Sequence, residues 1–107
     1  MGGMHAQIYN ALPNSELVGI VDTNADKAKA NLQKLGLSVP VFSSIQELIK
    51  NVAVDIIDVC LPTDLHKAAA LEAVAAGKHL FCEKPLSLNA ADGLAIVEAA
   101  EKAGVMM

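Results

Sequence analysis

Three residues with useful side-chain chemistry, Glu83, Lys84 and Pro85, directly follow the short apolar run HLFC at 79–82. An apolar run of this length, bounded by Gly77 and by charge, is typical of a buried strand. A lysine at the end of such a strand, partly desolvated beside a glutamate, can donate a hydrogen bond or a proton to a substrate hydroxyl or carbonyl. We therefore predict Lys84 as a catalytic residue, against the alternative of a surface ion pair worth under ~1 kcal/mol.

A second group of residues has the spacing of a dinucleotide site. Gly2 and Gly3, next to Met4, would let the backbone approach a pyrophosphate closely, and the amides of a helix N-terminus would face its oxygens. Such sites carry a carboxylate about 20 residues later, at the end of the second strand, for the adenosine ribose. Asp22 has that spacing, closes the run LVGIVD and precedes Thr23. We predict these five residues as cofactor-binding, rather than as an ordinary turn.

The charge of Asp22 also bears on the choice of cofactor. Its carboxylate would repel a 2′-phosphate, and the sequence contains no arginine that could bind one. We therefore predict NAD as the cofactor, with NADP still possible because Lys27 lies nearby in the sequence.

A third group, LPTDLH at 61–66, follows the apolar run VDIIDV. Ligands of parallel sheets bind beyond the carboxyl ends of the strands, which is where Leu61, Pro62, Thr63 and His66 would lie. We predict that these residues line the cofactor together with Lys84, which falls on the same edge of the sheet. The residues alone are equally compatible with a proline-terminated strand, a helix cap and a solvated His66.

The elements that would position these groups alternate along the chain. Four runs read as buried strands: 17–22, 39–42, 54–62 and 79–82. Helical patterns fill the intervals at 24–36, 45–50, 64–77 and 89–104, with Asn24, Asp64 and Asn89 as expected caps and Gly36, Gly77 and Gly104 as expected stops. The tail VMM resembles the start of a further strand. This alternation predicts an α/β fold with a doubly wound parallel sheet.

The N-terminus departs from the pattern. MGGMHAQIYNAL reads as a glycine turn leading into a helix, but no strand precedes it. In a dinucleotide fold the first strand is central, in the order 3-2-1-4-5-6. We therefore expect residues 1–107 to be a partial NAD(P)-binding domain that lacks this strand, with a gap between the LVGIVD and VDIIDVC strands.

Composition narrows the class of protein further. The 107 residues are 53% hydrophobic, carry a formal net charge of −4 and include two cysteines, and all basic residues are lysine. We expect no nucleic acid partner, no membrane span and no metal. Cys60 and Cys82 read as buried strand thiols of a reducing compartment, so we expect a cytoplasmic location.

The blocks VDIIDVCLPTDLHKAAALEAVAAGKH and GKHLFCEKPLSLNAADG resemble the nucleotide-binding half of the Gfo/Idh/MocA oxidoreductases, the family of glucose-fructose oxidoreductase and inositol 2-dehydrogenase. The resemblance extends over essentially the whole chain. It implies a Rossmann domain that binds NAD(P) and transfers hydride between the nicotinamide and a hydroxyl carbon of a sugar, polyol or related compound. It further implies that Lys84 positions or polarises the substrate, that Glu83 lies near the nicotinamide and that the Lys84–Pro85 bond is cis.

Two departures from the family pattern affect these expectations. His5 occupies the position of the third fingerprint glycine, which weakens the helix–strand packing there. The substrate domain of the family, with its catalytic Asp and His, is not found in these residues. We therefore expect no catalysis by this chain alone, and we expect association into a homo-oligomer, since exposed strand edges recruit partners.

Two other interpretations involve no catalysis. DVCLP and EKP match the phosphoacceptor and Lys-Pro patterns of a response-regulator receiver domain, at Asp58 and Lys84. A receiver needs a further strand between those two residues, and only one helix fits there, so spacing disfavours it. A non-catalytic sensor that keeps the NAD site is compatible with the sequence.

Overall fold

The computed structural model describes residues 2–107, and the chain divides into two compact units, residues 1–53 and 54–107. The first unit contains α1 (Gly2–Ala11), β1 (Ile20–Val21), α2 (Ala25–Lys34), β2 (Val41–Phe42) and α3 (Ile45–Asn51). The second contains β3 (Ile56–Val59), a 3-10 helix (Thr63–Leu65), α4 (His66–Ala75), β4 (His79–Cys82) and α5 (Ala90–Ala103). The alternation of strand and helix follows the sequence prediction.

Both units contain one pair of parallel strands. β1 pairs with β2, with Ile20 opposite Val41, and β3 pairs with β4, with Ile57 opposite Leu80. The parallel pairs and intervening helices confirm the α/β class. The bounds of β4 are as predicted, whereas β1, β2 and β3 are shorter than expected because only residues 20–21, 41–42 and 56–59 are paired with a neighbouring strand.

The first unit packs its helices closely against short strands. Its buried side chains include Ala28 and Leu32 on α2 and Leu48 on α3. Gly19, directly before β1, lies so close to α3 that a Cβ atom there would come within 2.9 Å of Leu48 Cδ1 and of Phe42 Cε2. A glycine in the run LVGIVD therefore allows this close approach.

The second unit is built around α4, which contacts β3, β4 and α5. The inward positions of α4 are mostly small: Ala69, Ala70 and Ala73 are all buried. From α5, Ile96 is 0% exposed and is one of the two largest fully buried side chains among the described residues. Small buried side chains on α4 allow α5 to pack close to it.

Three of the described helices, α2, α3 and α5, have an N-terminus that is capped by a side chain. Asn24 accepts a hydrogen bond from the Lys27 amide, Ser44 from the Glu47 amide, and Asn89 from the Asp92 amide. The prediction that Asp64 caps the fourth helix is wrong. The chain first makes the 3-10 turn Thr63–Leu65, so α4 begins at His66 after Leu65, with no side-chain cap.

The predicted helix stops are confirmed. Gly36, Gly77 and Gly104 have φ angles of 69°, 73° and 69°. This left-handed backbone conformation is the one that glycine adopts most easily after a helix.

The C-terminal residues 105–107 lie along β4. The Leu80 amide donates to the Met106 carbonyl (2.9 Å), and the Met106 amide donates to His79 Nδ1 (3.0 Å). Residues 105–107 therefore lie beside β4, but no strand is assigned to them, and the strand expected for VMM stays a prediction. No helix among residues 2–107 has the length and apolar composition that crossing a bilayer would require.

Candidate functional site

Asp22 directly follows β1 in the first unit. Its Oδ1 accepts a hydrogen bond from the Asn24 amide at 2.9 Å, which fixes the carboxylate at the start of the turn into α2. Its Oδ2 accepts no hydrogen bond from any residue between 2 and 107. Asp22 is half-buried and Thr23 is exposed. The carboxylate therefore has one oxygen anchored and one available to a ligand hydroxyl.

The glycines of the predicted fingerprint lie in the same unit, at the start of α1. The helix already begins at Gly2, so the expected glycine turn is not seen among the described residues; Gly2 and Gly3 belong to the first helical turn. Gly2, Gly3 and Met4 are exposed, and the first turn of α1 contains no acidic residue. These features suit the binding of an anionic group by the N-terminal amides. A dinucleotide therefore fits the residues present in this unit.

The segment after β3 forms the first part of the predicted site in the second unit. Leu61 and Pro62 are exposed, and Thr63 is half-buried at the start of the 3-10 helix. The Pro62 carbonyl accepts a hydrogen bond from the Leu65 amide at 2.9 Å, which closes the turn. Because of this turn, α4 begins only at His66.

His66 is placed differently from the solvated residue that the sequence also allowed. Its side chain is 1% exposed. Ring atom Nε2 lies 2.7 Å from the Leu61 carbonyl oxygen, and Nδ1 lies 3.0 Å from the Pro85 carbonyl oxygen. His66 therefore connects the segment after β3 to the segment after β4. No sequence signal indicated this link, since Pro85 lies 19 positions away.

The EKP segment follows β4. The Glu83 amide donates to the Val59 carbonyl (3.0 Å), extending the pairing of β4 with β3. Glu83 Oε2 accepts from the Lys84 amide (3.1 Å), and the Lys84–Pro85 peptide bond is cis, as the family resemblance implied. Lys84 is exposed, and its ammonium makes no ion pair with any residue between 2 and 107. The surface ion pair considered from the sequence is therefore not formed.

Neither cysteine forms a disulfide with a residue between 2 and 107, and both are half-buried, whereas the sequence predicted buried thiols. Burial raises the pKa of the Cys60 thiol to about 12, and a hydrogen bond from Sγ to Asp58 Oδ1 (3.3 Å) acts in the same direction. Burial also raises the pKa of Cys82. Both thiols are therefore protonated at neutral pH and poorly suited to nucleophilic chemistry.

Comparison with known families places this geometry in context. The whole chain, residues 1–107, matches the family described as "Oxidoreductase family, NAD-binding Rossmann fold". Myo-inositol 2-dehydrogenase of Thermotoga maritima is 35% identical over 107 residues, which is 100% of this chain and 32% of that protein. The 1,5-anhydro-D-fructose reductase of Ensifer adhaerens is 36% identical over 92 residues, 86% of this chain and 27% of that protein.

Solved structures agree with these relatives. The structure of GenD2 from gentamicin A biosynthesis, in complex with NAD, superposes with a TM-score of 0.87 at 28% identity, covering 98% of this chain and 30% of that one. A probable dehydrogenase from Thermotoga maritima gives a TM-score of 0.86 at 36% identity, covering 97% of this chain and 31% of that one. The chain thus spans about a third of the length of these proteins.

The predictions of a Rossmann domain and of NAD as its cofactor agree with the family description and with the neighbour that contains NAD. The individual site residues stay predictions. The chain belongs to the GFO_IDH_MocA oxidoreductase family, whose shared domain is an NAD-binding Rossmann fold.

Proposed function

We propose that this chain is the nucleotide-binding part of an NAD-dependent dehydrogenase that oxidises a hydroxyl group of a sugar or polyol, or reduces the corresponding carbonyl. The observation that carries the proposal is the family match over all 107 residues. Relatives named for inositol and for anhydrofructose support a sugar-like substrate. When bound, NAD would supply the hydride acceptor, and NADH the donor.

In the first unit, Asp22 would bind the adenosine ribose. Its Oδ2 is available for a ribose hydroxyl, while the Asn24 amide holds Oδ1 in place. The amides of Gly2, Gly3 and Met4 at the start of α1 would bind phosphate oxygens, with Thr23 beside the ribose. The negative charge of Asp22 would disfavour the 2′-phosphate of NADP.

In the second unit, Leu61, Pro62 and Thr63 would line the nicotinamide end of the cofactor, and Glu83 would lie beside the nicotinamide. The Lys84 ammonium would donate a hydrogen bond to the reacting oxygen of the substrate. Because Lys84 is exposed and makes no ion pair with any of residues 2–107, its ammonium is available for the interaction. His66 would act on this region through the two carbonyls that it contacts.

Calorimetric titration of the chain with NAD and with NADP tests the cofactor proposal. We expect NAD to bind more tightly, and Asp22→Ala to weaken NAD binding by about 10- to 100-fold, the value of a hydrogen bond to a charged group. Asp26→Ala is the matched control, since it removes the same charge from the exposed first turn of α2. A folded chain that binds no NAD, or equal effects of both variants, would refute the proposed site.

The role of Lys84 is tested by turnover. In a protein that contains this chain and turns over a polyol, Lys84→Ala should lower kcat/KM by at least about tenfold, because a hydrogen bond in the transition state is lost. Lys78→Ala, before β4, is the matched control. Unchanged turnover in Lys84→Ala would remove the residue from the mechanism.

Several further expectations belong to this proposal. We expect the 107 residues alone to show no turnover, since they span 32% of the inositol dehydrogenase they match. We also expect a homo-oligomer and a cytoplasmic location. The family match gives no support to the receiver interpretation of Asp58, and the NAD-sensor interpretation would require binding without turnover in any longer protein.

A further inference from the structure

Asn24, the residue directly before α2, makes hydrogen bonds through three of its polar groups. Its amide donates to Asp22 Oδ1 at 2.9 Å. Its side-chain Oδ1 accepts from the Lys27 amide at 3.1 Å, and its carbonyl accepts from the Ala28 amide at 3.1 Å. One residue therefore joins the carboxylate proposed for the ribose to the first turn of α2.

The bond to Asp22 distinguishes Asn24 from the other capping residues. Ser44 at the start of α3 and Asn89 at the start of α5 also accept a hydrogen bond from an amide of the first helical turn. Within the described part of the chain, the amide of neither residue donates to a side chain. The bond from the Asn24 amide is therefore additional to ordinary capping, and its acceptor is the carboxylate that we assign to the cofactor.

We propose that Asn24 is a positioning residue for NAD binding: its side chain holds the start of α2 in the conformation in which its amide orients the Asp22 carboxylate. This inference rests on the proposed function, since it assumes that Asp22 binds the adenosine ribose. Asn24 acts through Asp22 and needs no contact of its own with the cofactor.

The orientation of the Asp22 carboxylate depends on this one amide. The Asp22 backbone is fixed by strand pairing, because its amide donates to the Phe42 carbonyl at 3.0 Å. The carboxylate can still rotate about the side-chain torsions, and among residues 2–107 only the Asn24 amide binds it. An orientation that is set before the ligand arrives lowers the entropy lost on binding.

The side chain of Asn24 in turn holds its own amide in place. Asn24 has φ −105° and ψ 88°, outside the helical range, and the bond from the Lys27 amide stabilises this conformation. Thr23 and Asn24 are exposed, so packing cannot replace that bond. With alanine at position 24, the Lys27 amide would lose its acceptor and the first turn of α2 would fray, taking the amide of residue 24 away from Asp22.

The size of the expected effect follows from the value of a cap. Asn24→Ala should weaken NAD binding by about fivefold, which corresponds to about 1 kcal/mol, the typical contribution of an N-cap side chain. The loss should be smaller than for Asp22→Ala, because the amide of residue 24 is still present. Asn24→Ser keeps an oxygen acceptor at the cap and should restore the affinity to within about twofold of the wild type.

Calorimetric titration of the whole chain with NAD, combined with urea denaturation, tests this role. Ser44→Ala is the matched control, since it removes the cap of α3, where the Glu47 amide donates to Ser44 Oγ at 3.0 Å. Both alanine variants should lower the urea midpoint, but only Asn24→Ala should weaken NAD binding. Equal losses of NAD affinity in the two variants would mean that Asn24 acts only on stability, and would overturn the proposal.

A double-mutant cycle asks whether Asn24 acts through Asp22. In the Asp22→Ala background there is no carboxylate to orient, so adding Asn24→Ala should change the NAD affinity by less than about twofold, as measured by NMR titration if binding is weak. A fivefold loss in that background would overturn the role of Asn24 and leave Asp22 as a ligand. Wild-type affinity in Asn24→Ala, with weakened binding in Asp22→Ala, would do the same. A folded chain that binds no NAD would instead refute the proposed function together with this inference.

Discussion

Replacing Ile96 by alanine should strongly destabilise the second unit. Ile96 is 0% exposed, and truncation of such a side chain to alanine typically costs about 2–5 kcal/mol. The helix α4, which packs against α5, has alanine at three of its buried positions, Ala69, Ala70 and Ala73, so it offers few long side chains that could fill the space. We therefore expect a value in the upper half of that range, about 3–5 kcal/mol, a large part of the ~5–15 kcal/mol that stabilises a domain.

Urea denaturation, monitored by far-UV circular dichroism, measures this change in the free energy of unfolding. Leu94→Ala is the control on the same helix, since Leu94 is 57% exposed and its truncation should change the free energy of unfolding by less than about 0.5 kcal/mol. If Ile96→Ala does not fold, Ile96→Val should still cost about 0.5–1.5 kcal/mol. Equal effects at positions 94 and 96 would refute the packing described for α4 and α5.

Three further predictions concern single groups. Cys60 should react with iodoacetamide roughly a thousandfold more slowly than free cysteine at pH 8, because its pKa is about 12 and the thiolate is the nucleophile; a rate equal to that of free cysteine would contradict the burial described. The Lys67 hydrogen bond lowers the pKa of Asp92 below its ordinary 3.8, so Asp92 stabilises the fold above that pH and loses this effect as the pH falls through the lowered value. The difference in urea midpoint between the wild type and Asp92→Asn should accordingly shrink on acidification, and a constant difference would exclude the ion pair as its cause. Gly104→Ala should cost about 1 kcal/mol in thermal denaturation because φ is 69°, and Gly104→Asn should cost less, since asparagine tolerates this conformation better; the reverse order would argue against backbone strain.

Local residue patterns in the sequence predicted most of the helices and strands and most of the helix ends. HLFC gave the bounds of β4, and the caps at Asn24 and Asn89 and the stops at Gly36, Gly77 and Gly104 lie where propensity places them. These features depend on residues within one turn of each other. Asp64 was predicted to cap α4, but it lies within the 3-10 helix Thr63–Leu65 that precedes α4. In the sequence, an aspartate in such a turn looks the same as an aspartate that caps a helix.

The contacts that organise the second unit were not predictable in this way. His66 reaches Pro85 across 19 positions, and Lys67 reaches Asp92 across 25. Neither pair has a fixed spacing that a sequence pattern could reveal, because both depend on how α4 packs against the segments that follow it. The residues at 61–66 and 83–85 were singled out because they follow strands. The contact of His66 with the Pro85 carbonyl, which joins the two segments, is seen only in the folded structure.

The pairing of residues 105–107 with β4 also affects how the chain behaves in concentrated solution. HLFC is a short run with two large apolar residues, and a strand of this kind with a free edge is a template for intermolecular β-pairing. In this fold β3 covers one side of β4, and on the other side the Leu80 amide is bonded to Met106. Residues 105–107 therefore cover part of the second edge of β4, and removing them should promote aggregation because that edge becomes available for intermolecular pairing.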